Sequence, residues 1–468
     1  MSKLFLPELM LADGAVHRNA GLWIDEQGSV REVIDAASVT ERKNAPGVEV
    51  VLLSGKALLP GLANAHSHTF QRLFRGRAEG RAIGGDTFWT WREQMYRAAA
   101  FVTPETLYDV ARATFLEMLA SGITVVGEFH YLHNDAKGKP YANPNELALQ
   151  VMRAAQSVGI RICLLRSAYM RAGFRKEPHP GQKRFYESSG KAAANVQSLA
   201  KAATQFEHAT VGLAPHSIRA VPLEAMKEFA TVAEKHAMPL HMHVSEQTAE
   251  NAACLDEYGE TPIELFNDHG LLSGRTTLIH AIHLTGQEMD EVAAAGSTIC
   301  SCPTTERNLG DGIFPANVAA RLGIPVAFGT DSQAQIDILE DARQAEYHLR
   351  LVAQQRGMLD QINGEEIGAR LFHCATTSGY KALGLGGGSL EPGQPADFFT
   401  LDLNDLALLG VDETSLASQA VFAASRAAVR DVAVAGKLVL TDSHHALEDE
   451  IRARYLNIQH AFLTEEAQ

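Results

Sequence analysis

Two histidines separated by one residue follow an apolar run near the start of the chain. The run LLPGLANAHSH ends with His66 and His68, and residues i and i+2 of an extended segment point to the same side. Both imidazoles can therefore reach one point, and neutral imidazole nitrogen is a common ligand of zinc-like metal ions. Because the chain has 19 histidines, such a pair also arises by chance. The pair alone leaves a metal site and a coincidence equally open.

Two later segments carry side chains that could complete a hydrolytic metal site. His243 in HMHVSE supplies a third imidazole, and Asp331 in FGTDS supplies a carboxylate. Three or four nitrogen and oxygen ligands with one open position suit a catalytic metal ion, which lowers the pKa of bound water from about 15.7 toward about 7. We predict one divalent metal ion, expected to be zinc, with the ligands His66, His68, His243 and Asp331.

A carboxylate and a further histidine could move protons beside this metal ion. Glu246, three residues after His243, can take a proton from water and pass it to a leaving nitrogen. His280, one predicted strand later, can stabilise the charge that develops at the reacting carbon. We predict that Glu246, His280 and Asp331 are catalytic residues. The alternatives are a hydrogen-bonded core histidine for His280 and a helix cap for Asp331.

The candidate residues end successive short apolar strands, each of which precedes a helical stretch. Eight such units are typical of a (β/α)8 barrel, in which active sites lie at the carboxyl ends of the strands. Both chain ends instead contain short strands, with turns predicted at Gly28 and at Ala435-Gly436. We predict a distorted (β/α)8 barrel at 59–389 and a small β-sandwich domain formed by 1–58 and 390–468, with a helix at the C-terminal end.

Composition and charge restrict the class of protein. The 468 residues, 46% hydrophobic and 21% charged, predict an ordinary globular protein with more than one domain. A net charge of -15 argues against nucleic acid or an anionic membrane as a partner. The N-terminal stretch is a poor signal peptide, and no run of about 20 apolar residues could span a bilayer. Five cysteines without a C-x-x-C pair indicate reduced thiols in the cytoplasm.

A long connection after the first barrel strand, residues 69–103, carries an excess of arginines over acidic residues. Its arginines are Arg72, Arg75, Arg77, Arg81, Arg92 and Arg97. Long barrel loops commonly carry function, and the planar guanidinium group suits carboxylate binding. With Arg219 after the fourth strand, the pattern predicts a small anionic substrate. The alternative for Arg92 and Arg219 is a packing role, which is also the role that we expect for Trp89 and Trp91.

Four segments together resemble the amidohydrolase superfamily, in its single-metal deaminase branch: PGLANAHSH, HMHVSE, LIHA and GTDS. The resemblance covers essentially the whole chain and implies the same barrel with a β-sandwich from both chain ends. The segments HSHTFQRLFRGRAEG, DTFWTWREQMY, GEFHYLHN and APHSIRAV further resemble the formimidoylglutamate deiminases. That family hydrolyses N-formimino-L-glutamate to N-formyl-L-glutamate and ammonia in histidine degradation.

The resemblance also implies roles for individual residues. Arg92 and Arg219 would hold the two substrate carboxylates, and the residues that would orient the rest of the substrate are Gln71, Tyr131 and His216. A metal-activated hydroxide would attack the formimino carbon, while Glu246 and Asp331 handle its proton and His280 stabilises the intermediate. We further expect a homodimer that binds neither nucleic acid nor membranes.

Two other functions remain open. A related aminohydrolase that deaminates a nucleobase, pterin or triazine ring would use the same metal ligands, although a flat neutral ring would not require two arginines. A barrel that has lost catalysis and serves as a scaffold should lack some ligands, whereas this chain has all four and Glu246. Metal analysis and an ammonia-release assay would distinguish the three functions.

Overall fold

The first part of the chain forms five strands of a small β domain. The structure is a computed structural model, and it describes residues 2–80 and 87–466. These strands and one short helix are β1 Ser2–Ala12, β2 Ala15–Arg18, β3 Gly21–Ile24, β4 Val30–Ile34, α1 Val39–Lys43 and β5 Val48–Pro60. β3 and β4 are antiparallel neighbours on either side of Gly28, so the turn predicted there is confirmed.

Eight parallel strands form a second sheet. They are β6 Leu62–Ser67, β7 Ile123–His130, β8 Arg161–Ala168, β9 Ala209–Pro215, β10 Leu240–Val244, β11 Thr276–His280, β12 Thr298–Ser301 and β13 Val326–Phe328. Each strand pairs with its neighbours in sequence order, and their side chains are almost all buried, as in parallel sheets covered by helices. A bridge between Ser67 and Asp331 joins the last strand to the first. The predicted (β/α)8 barrel is confirmed.

Helices connect the barrel strands and cover them. They are α2 Thr87–Phe101, α3 Pro104–Leu119, α4 Glu146–Val158, α5 Ser189–Ala203, α6 Leu223–Lys235, α7 Thr248–Tyr258, α8 Pro262–Asp268, α9 Gly286–Ala295, α10 Pro303–Leu309, α11 Ala316–Leu322, α12 Ile338–Ala353, α13 Ile367–Ala375 and α14 Thr377–Ala382. Among the helices that the structure describes, none combines the length and the apolarity that a membrane span needs.

The structure corrects the description of residues 69–103 as a loop. A 3₁₀ helix at Thr69–Phe74 follows β6, and α2 occupies most of the second half of the connection. Arg72 lies 2.6 Å from Glu117 and is buried, so its charge is neutralised by α3 instead of facing a substrate. Arg81 and the side chain of Trp89 lie outside the described residues.

Three strands from the end of the chain complete the first sheet, namely β14 Phe398–Asp402, β15 Val429–Val434 and β16 Lys437–Leu440. β14 pairs with β5 in antiparallel register, with Thr400 opposite Leu58, which gives the order β16-β15-β14-β5-β1-β3-β4 with β2 beside β1. Ala435 and Gly436 form the predicted turn at φ values of 46° and 70°. A β domain built from both chain ends is confirmed, and its exact boundaries stay a prediction.

The last helix packs against the segment that follows His68. α15 Leu416–Phe422 lies between β14 and β15, and α16 Glu448–Glu466 follows β16, so the predicted C-terminal helix is present. The Tyr455 hydroxyl donates to the carbonyl of Arg72 at 3.1 Å, and Gln459 Nε2 donates to the carbonyl of Leu73 at 3.1 Å. The C-terminal helix therefore supports the backbone of the 3₁₀ helix from outside the barrel.

A buried carboxylate just before β14 connects the barrel to the β domain. Asp397 accepts hydrogen bonds from Arg161 Nε at 3.0 Å and from the Tyr380 hydroxyl at 2.7 Å. It also accepts one from the backbone amide of Ala435 at 2.6 Å. One side chain thus holds the start of β8, the helix α14 and the β15–β16 turn, and its own exposure is 1%.

We expect Asp397→Ala to lower the free energy of unfolding by about 3–5 kcal/mol, because it leaves the largely buried Arg161 without its partner. The geometry of the candidate site should stay unchanged, since Asp397 contacts Arg161 at the start of β8, the opposite end of the barrel strands from that site. Asp402→Ala is the matched control. Its partner Arg430 is one-third exposed, so we expect a loss of about 1 kcal/mol or less. Urea unfolding of both variants measures the difference, and equal losses would contradict this account.

Candidate active site

Four potential metal ligands meet at the carboxyl ends of the barrel strands. The ligand atoms of His66, His68, His243 and Asp331 all lie within 4.8 Å of one another. Asp331 Oδ1 is 3.2 Å from His66 Nε2 and 3.3 Å from His68 Nε2. All four side chains are buried. The structure therefore brings together the residues that were predicted as ligands, although they are separated by up to 265 positions in the chain (331 − 66).

The backbone orients two of these imidazoles for metal binding. His68 Nδ1 donates to the carbonyl of Phe129 at 2.8 Å, and His243 Nδ1 donates to the carbonyl of His216 at 2.9 Å. Each bond leaves the Nε2 atom unprotonated and free to bind a cation. Neither ring nitrogen of His66 has a hydrogen-bond partner among the described residues, which is costly for a buried polar group unless a ligand satisfies it.

The protonation of the cluster also suits a cation. Burial lowers the pKa of His68 to about 3 and that of His66 and His243 well below the usual value, so the imidazoles are neutral. Burial also raises the pKa of Asp331 to about 7, and a neighbouring cation would favour its charged form. Neutral imidazoles beside one carboxylate are a ligand set that fits a divalent zinc-like ion.

The approach of the eighth strand to the first depends on glycine. A Cβ atom on Gly329 would lie 2.7 Å from the Cβ of His66, so only glycine fits at this position of the GTDS segment. Asp331 and His280 have positive φ values, 44° and 70°. Such left-handed residues cost free energy outside glycine and are concentrated at functional sites.

Glu246 and His280 lie beside the ligand cluster. Glu246 Oε1 is 3.9 Å from His280 Nε2, and that nitrogen is 3.8 Å from Asp331 Oδ2. Burial would raise the pKa of Glu246, but the charges of His280 and Arg219 outweigh it and hold the pKa below its usual range. Glu246 is therefore ionised and ready to accept a proton near the cluster.

A further buried carboxylate orients His280 from behind. Glu306 on α10 lies 3.3 Å from His280 Nδ1 and accepts the backbone amide of Cys302 at 2.7 Å. Burial lowers the pKa of His280, but Glu306, Glu246 and Asp331 more than offset it and raise the pKa to about 10. With its Nδ1 atom held by Glu306, His280 presents Nε2 to Glu246 and Asp331. The sequence alone left open that His280 is a hydrogen-bonded histidine of the core. The structure places its ring beside Glu246 and Asp331.

One cavity gathers all of the predicted site residues except His66, which is buried beside it. The residues that line the cavity are His68, Gln71, Trp91, Arg92, Met95, Tyr131, Tyr169, Ala172, His216, Arg219, His243, Glu246, His280, Leu309 and Asp331. Trp91 lines the cavity and also packs on Phe74 at a centroid distance of 6.1 Å. The expected packing role of Trp91 is therefore present, and whether it also contacts a substrate stays untested.

Two guanidinium groups enter this cavity from different elements. Arg92 on α2 donates from Nε to the Tyr96 hydroxyl at 2.7 Å. Arg219, in the connection from β9 to α6, lies 3.2 Å from Glu246 and 3.4 Å from Glu250. Burial raises the pKa of Tyr169 to about 12, and the positive charges of Arg219 and Arg92 both oppose this rise. Both cations therefore act on the same part of the cavity.

Polar groups on the adjacent wall are held by one another. Gln71 Nε2 donates to the Tyr131 hydroxyl at 2.8 Å. The ring of His216 stacks on that of His243 at 4.6 Å and contacts Tyr169 at 4.7 Å. Burial lowers the pKa of His216 well below its usual value, so this ring is neutral. These contacts fix the predicted orienting residues in place before any substrate binds.

Several residues of the site were missed by the sequence analysis. Tyr169 directly follows β8, so the expectation that site residues lie at the carboxyl ends of the strands could have identified it. Glu306 and Glu250 lie on helices beyond the strand ends, and no spacing rule indicates them. Arg166, which does lie near the end of β8, instead forms a 2.6 Å ion pair with Glu187 away from the cavity.

Comparisons with known proteins agree with this geometry. A model of the amidohydrolase family matches residues 57–439. The chain is 37% identical to a formimidoylglutamate deiminase of Pseudomonas aeruginosa over 461 residues, which cover 98% of this chain and 99% of that protein. It is 29% identical to an 8-oxoguanine deaminase of the same organism, with 84% of each chain covered.

Solved structures show the same fold. A crystal structure of an amidohydrolase from Brucella melitensis superposes with a TM-score of 0.89 and 34% identity, and the match covers 98% of this chain and 100% of that one. An adenosine deaminase from Xanthomonas campestris with bound zinc superposes with a TM-score of 0.82 and 24% identity over 98% of each chain.

Proposed function

Because this chain belongs to the amidohydrolase family, we propose that it hydrolyses N-formimino-L-glutamate to N-formyl-L-glutamate and ammonia. The observation that supports this substrate is the entry of Arg92 and Arg219 into the cavity that also contains the ligand cluster and Glu246. A dicarboxylate substrate needs two cationic groups at a distance from the reacting carbon. A curated formimidoylglutamate deiminase that matches nearly the full chain supports the same substrate.

We propose that His66, His68, His243 and Asp331 hold one zinc ion. When bound there, the metal ion supplies a Lewis acid that lowers the pKa of water to near neutrality. The orphaned nitrogens of His66 and the buried carboxylate of Asp331 are the features that support this ligand set. The hydrogen bonds to the carbonyls of Phe129 and His216 keep the rings of His68 and His243 aimed at one point.

The proposed reaction moves two protons from water to the substrate nitrogen. Water adds its oxygen to the formimino carbon, and the neutral imino nitrogen must receive two protons before it leaves as ammonia. Glu246, assisted by Asp331, accepts the first proton from the water and delivers it to this nitrogen. It then transfers the remaining hydroxyl proton in the same direction as the carbonyl forms. His280 Nε2, 3.8 Å from Asp331 and 3.9 Å from Glu246, stabilises the tetrahedral intermediate.

Arg92 and Arg219 are the proposed carboxylate ligands, with Gln71, Tyr131 and His216 orienting the chain between. The contacts of Arg219 to Glu246 and Glu250 are 3.2 and 3.4 Å, longer than an optimal charge-assisted bond of about 2.7–2.9 Å. A guanidinium group held this loosely keeps donors for a substrate carboxylate. Fixing the remote end of the substrate places the reacting carbon beside Glu246.

An ammonia-release assay tests the proposed function. The purified zinc-loaded enzyme would be given N-formimino-L-glutamate, guanine, 8-oxoguanine, cytosine and 5′-methylthioadenosine in parallel. We expect ammonia from the first compound only, with N-formyl-L-glutamate formed in equal amount by mass spectrometry. Preferential turnover of a ring compound would replace this proposal by a heterocycle deaminase, the activity named for the related 8-oxoguanine deaminase.

Replacing Arg92 with methionine should raise the KM for N-formimino-L-glutamate by roughly 10- to 150-fold, the worth of one hydrogen bond between charged groups. The kcat should change less, because this contact binds the ground state and the transition state alike. Arg77→Met is the control, since Arg77 lies in the same connection but is exposed. Steady-state kinetics of both variants measure the effect. An unchanged KM in Arg92→Met would remove the reason for a dianionic substrate.

We also propose a cytoplasmic homodimer that acts in histidine degradation. Five free cysteines support a reducing compartment. The adjacent Leu351 and Val352 at the end of α12 are 77% and 70% exposed, and such apolar side chains support a contact with a second copy. Light scattering should give twice the mass of one chain.

A further inference from the structure

Cys302 belongs to a second group of potential metal ligands beside the first. The ligand atoms of His280, Cys302 and Asp331 lie within 4.8 Å of one another, and all three residues are buried. Cys302 directly follows β12, so its thiol reaches the site from the seventh strand. Neither the proposed zinc ligands nor the proposed proton transfers use this thiol.

Asp331 can serve both groups because its two oxygens face different partners. Oδ1 lies 3.2 and 3.3 Å from the Nε2 atoms of His66 and His68. Oδ2 lies 3.8 Å from His280 Nε2. A carboxylate in this arrangement can bridge two cations, with one on the side of the three histidines and the other on the side of His280.

The ligand chemistry of the second group differs from that of the first. An imidazole, a thiolate and a carboxylate bind zinc, and the sulfur adds a preference for softer ions such as cadmium. Zinc–nitrogen and zinc–sulfur bonds are about 2.0 and about 2.3 Å long, so small side-chain rotations close the remaining distances. Binding displaces the thiol proton of Cys302 and the Nε2 proton of His280, and both protons pass to solvent.

We propose that His280, Cys302 and Asp331 bind a second, thiophilic divalent cation that inhibits the enzyme. The cation occupies His280 Nε2, the atom that faces Glu246 at 3.9 Å. It thereby removes the group that stabilises the intermediate and places a positive charge next to the carboxylate that moves protons. The inhibition rests on the proposed function, whereas the binding site itself does not.

Cobalt binding tests the site without any substrate. Metal-free protein would be titrated with Co²⁺ while its absorption spectrum is recorded. The first equivalent should give ligand-field bands alone, because His66, His68, His243 and Asp331 include no thiolate. The second equivalent should add a thiolate-to-cobalt charge-transfer band, which reports a cobalt–sulfur bond. Saturation after one equivalent without this band would overturn the proposal.

Serine variants identify the sulfur. Cys302→Ser should lose the charge-transfer band and keep the first binding event, which also shows that the variant is folded. Cys300→Ser and Cys163→Ser remove other buried thiols of the barrel strands and should keep the band. If the band persists in Cys302→Ser, the cation binds elsewhere. Should that variant fail to fold, anomalous scattering from wild-type crystals soaked in Cd²⁺ decides, since a peak must lie between Cys302 Sγ and His280 Nε2.

Inhibition is measured with the zinc-loaded enzyme. Excess Cd²⁺ should lower turnover by roughly a hundredfold, the loss expected when one charge-stabilising donor is disabled. In Cys302→Ser, the same fractional loss should need at least about tenfold more Cd²⁺, since even supporting groups at metal sites change affinity by that factor. If Cd²⁺ inhibited the wild-type enzyme and Cys302→Ser at the same concentration, the inhibition would not depend on Cys302. The cobalt titration uses no substrate. It therefore tests the binding site even if the enzyme acts on a compound other than N-formimino-L-glutamate.

Discussion

Replacing His243 with alanine should abolish ammonia release, with a loss of about 10⁴-fold or more. The variant should also be isolated with much less than one zinc ion per chain. The cluster loses one of three imidazoles, and without the cation the pKa of water returns from about 7 toward about 15.7, so the nucleophile becomes scarce at neutral pH. Elemental analysis and steady-state kinetics on the same preparation measure both effects.

His241 provides a matched control on the same strand. It lies two residues before His243 in β10, and its Nε2 donates to the carbonyl of Ala382 at 2.7 Å behind the barrel wall. His241→Ala should keep the zinc ion and lose about 1–3 kcal/mol of folding free energy, since it leaves the buried carbonyl of Ala382 with only the longer bond from Thr277 Oγ1 at 3.4 Å. A variant of His243 that retains zinc, or one of His241 that loses it, would show that the ligand set is misassigned.

Replacing Glu246 with glutamine should lower kcat by about 10³-fold, within the range of about 10²- to 10⁴-fold that proton transfer by a positioned side chain contributes. The amide has the size of the carboxylate and cannot accept a proton. KM should change less than kcat, because Arg92 remains and the contact of Glu246 to Arg219 at 3.2 Å only positions that arginine. The measurement is the initial rate of ammonia release at saturating substrate, with zinc content checked by elemental analysis.

Glu250→Gln is the control for Glu246. Glu250, four residues later in the first turn of α7, is buried and contacts Arg219 at 3.4 Å, and the ion pairs of His280 in the described structure are with other carboxylates. Its amide variant should affect KM through Arg219 and leave kcat within roughly tenfold, since only a positioning contact is lost. If the two variants lose kcat equally, Glu246 has no special part in proton transfer.

Much of the site could be predicted because the order of the strands along the chain determines where their ends lie around the barrel. The carboxyl ends of parallel strands all lie on one face, so a histidine or an aspartate at each strand end predicts a cluster. The ligand atoms of His66, His68, His243 and Asp331 do lie within 4.8 Å of one another. Their binding of zinc stays a prediction that metal analysis can test.

Other contacts could not be predicted because they come from side chains outside the strand ends. Glu306 reaches His280 from α10, and Arg72 pairs with Glu117 on α3. Arg72 illustrates the limit, since the charge of a segment does not reveal which of its arginines are already neutralised by a distant acid. Only a packed structure shows that Arg92 faces the cavity and Arg72 does not.

The contact between the C-terminal helix and the 3₁₀ helix has a consequence for synthesis on the ribosome. Gln459 supports the carbonyl of Leu73 across 386 positions of the chain, so the pocket wall near His68 gains this outer support only after the chain has been synthesised as far as α16. Domains generally fold as units during synthesis, and long-range pairing is slow. During synthesis, the backbone of the 3₁₀ helix after His68 therefore stays without these two hydrogen bonds until Tyr455 and Gln459 have been added.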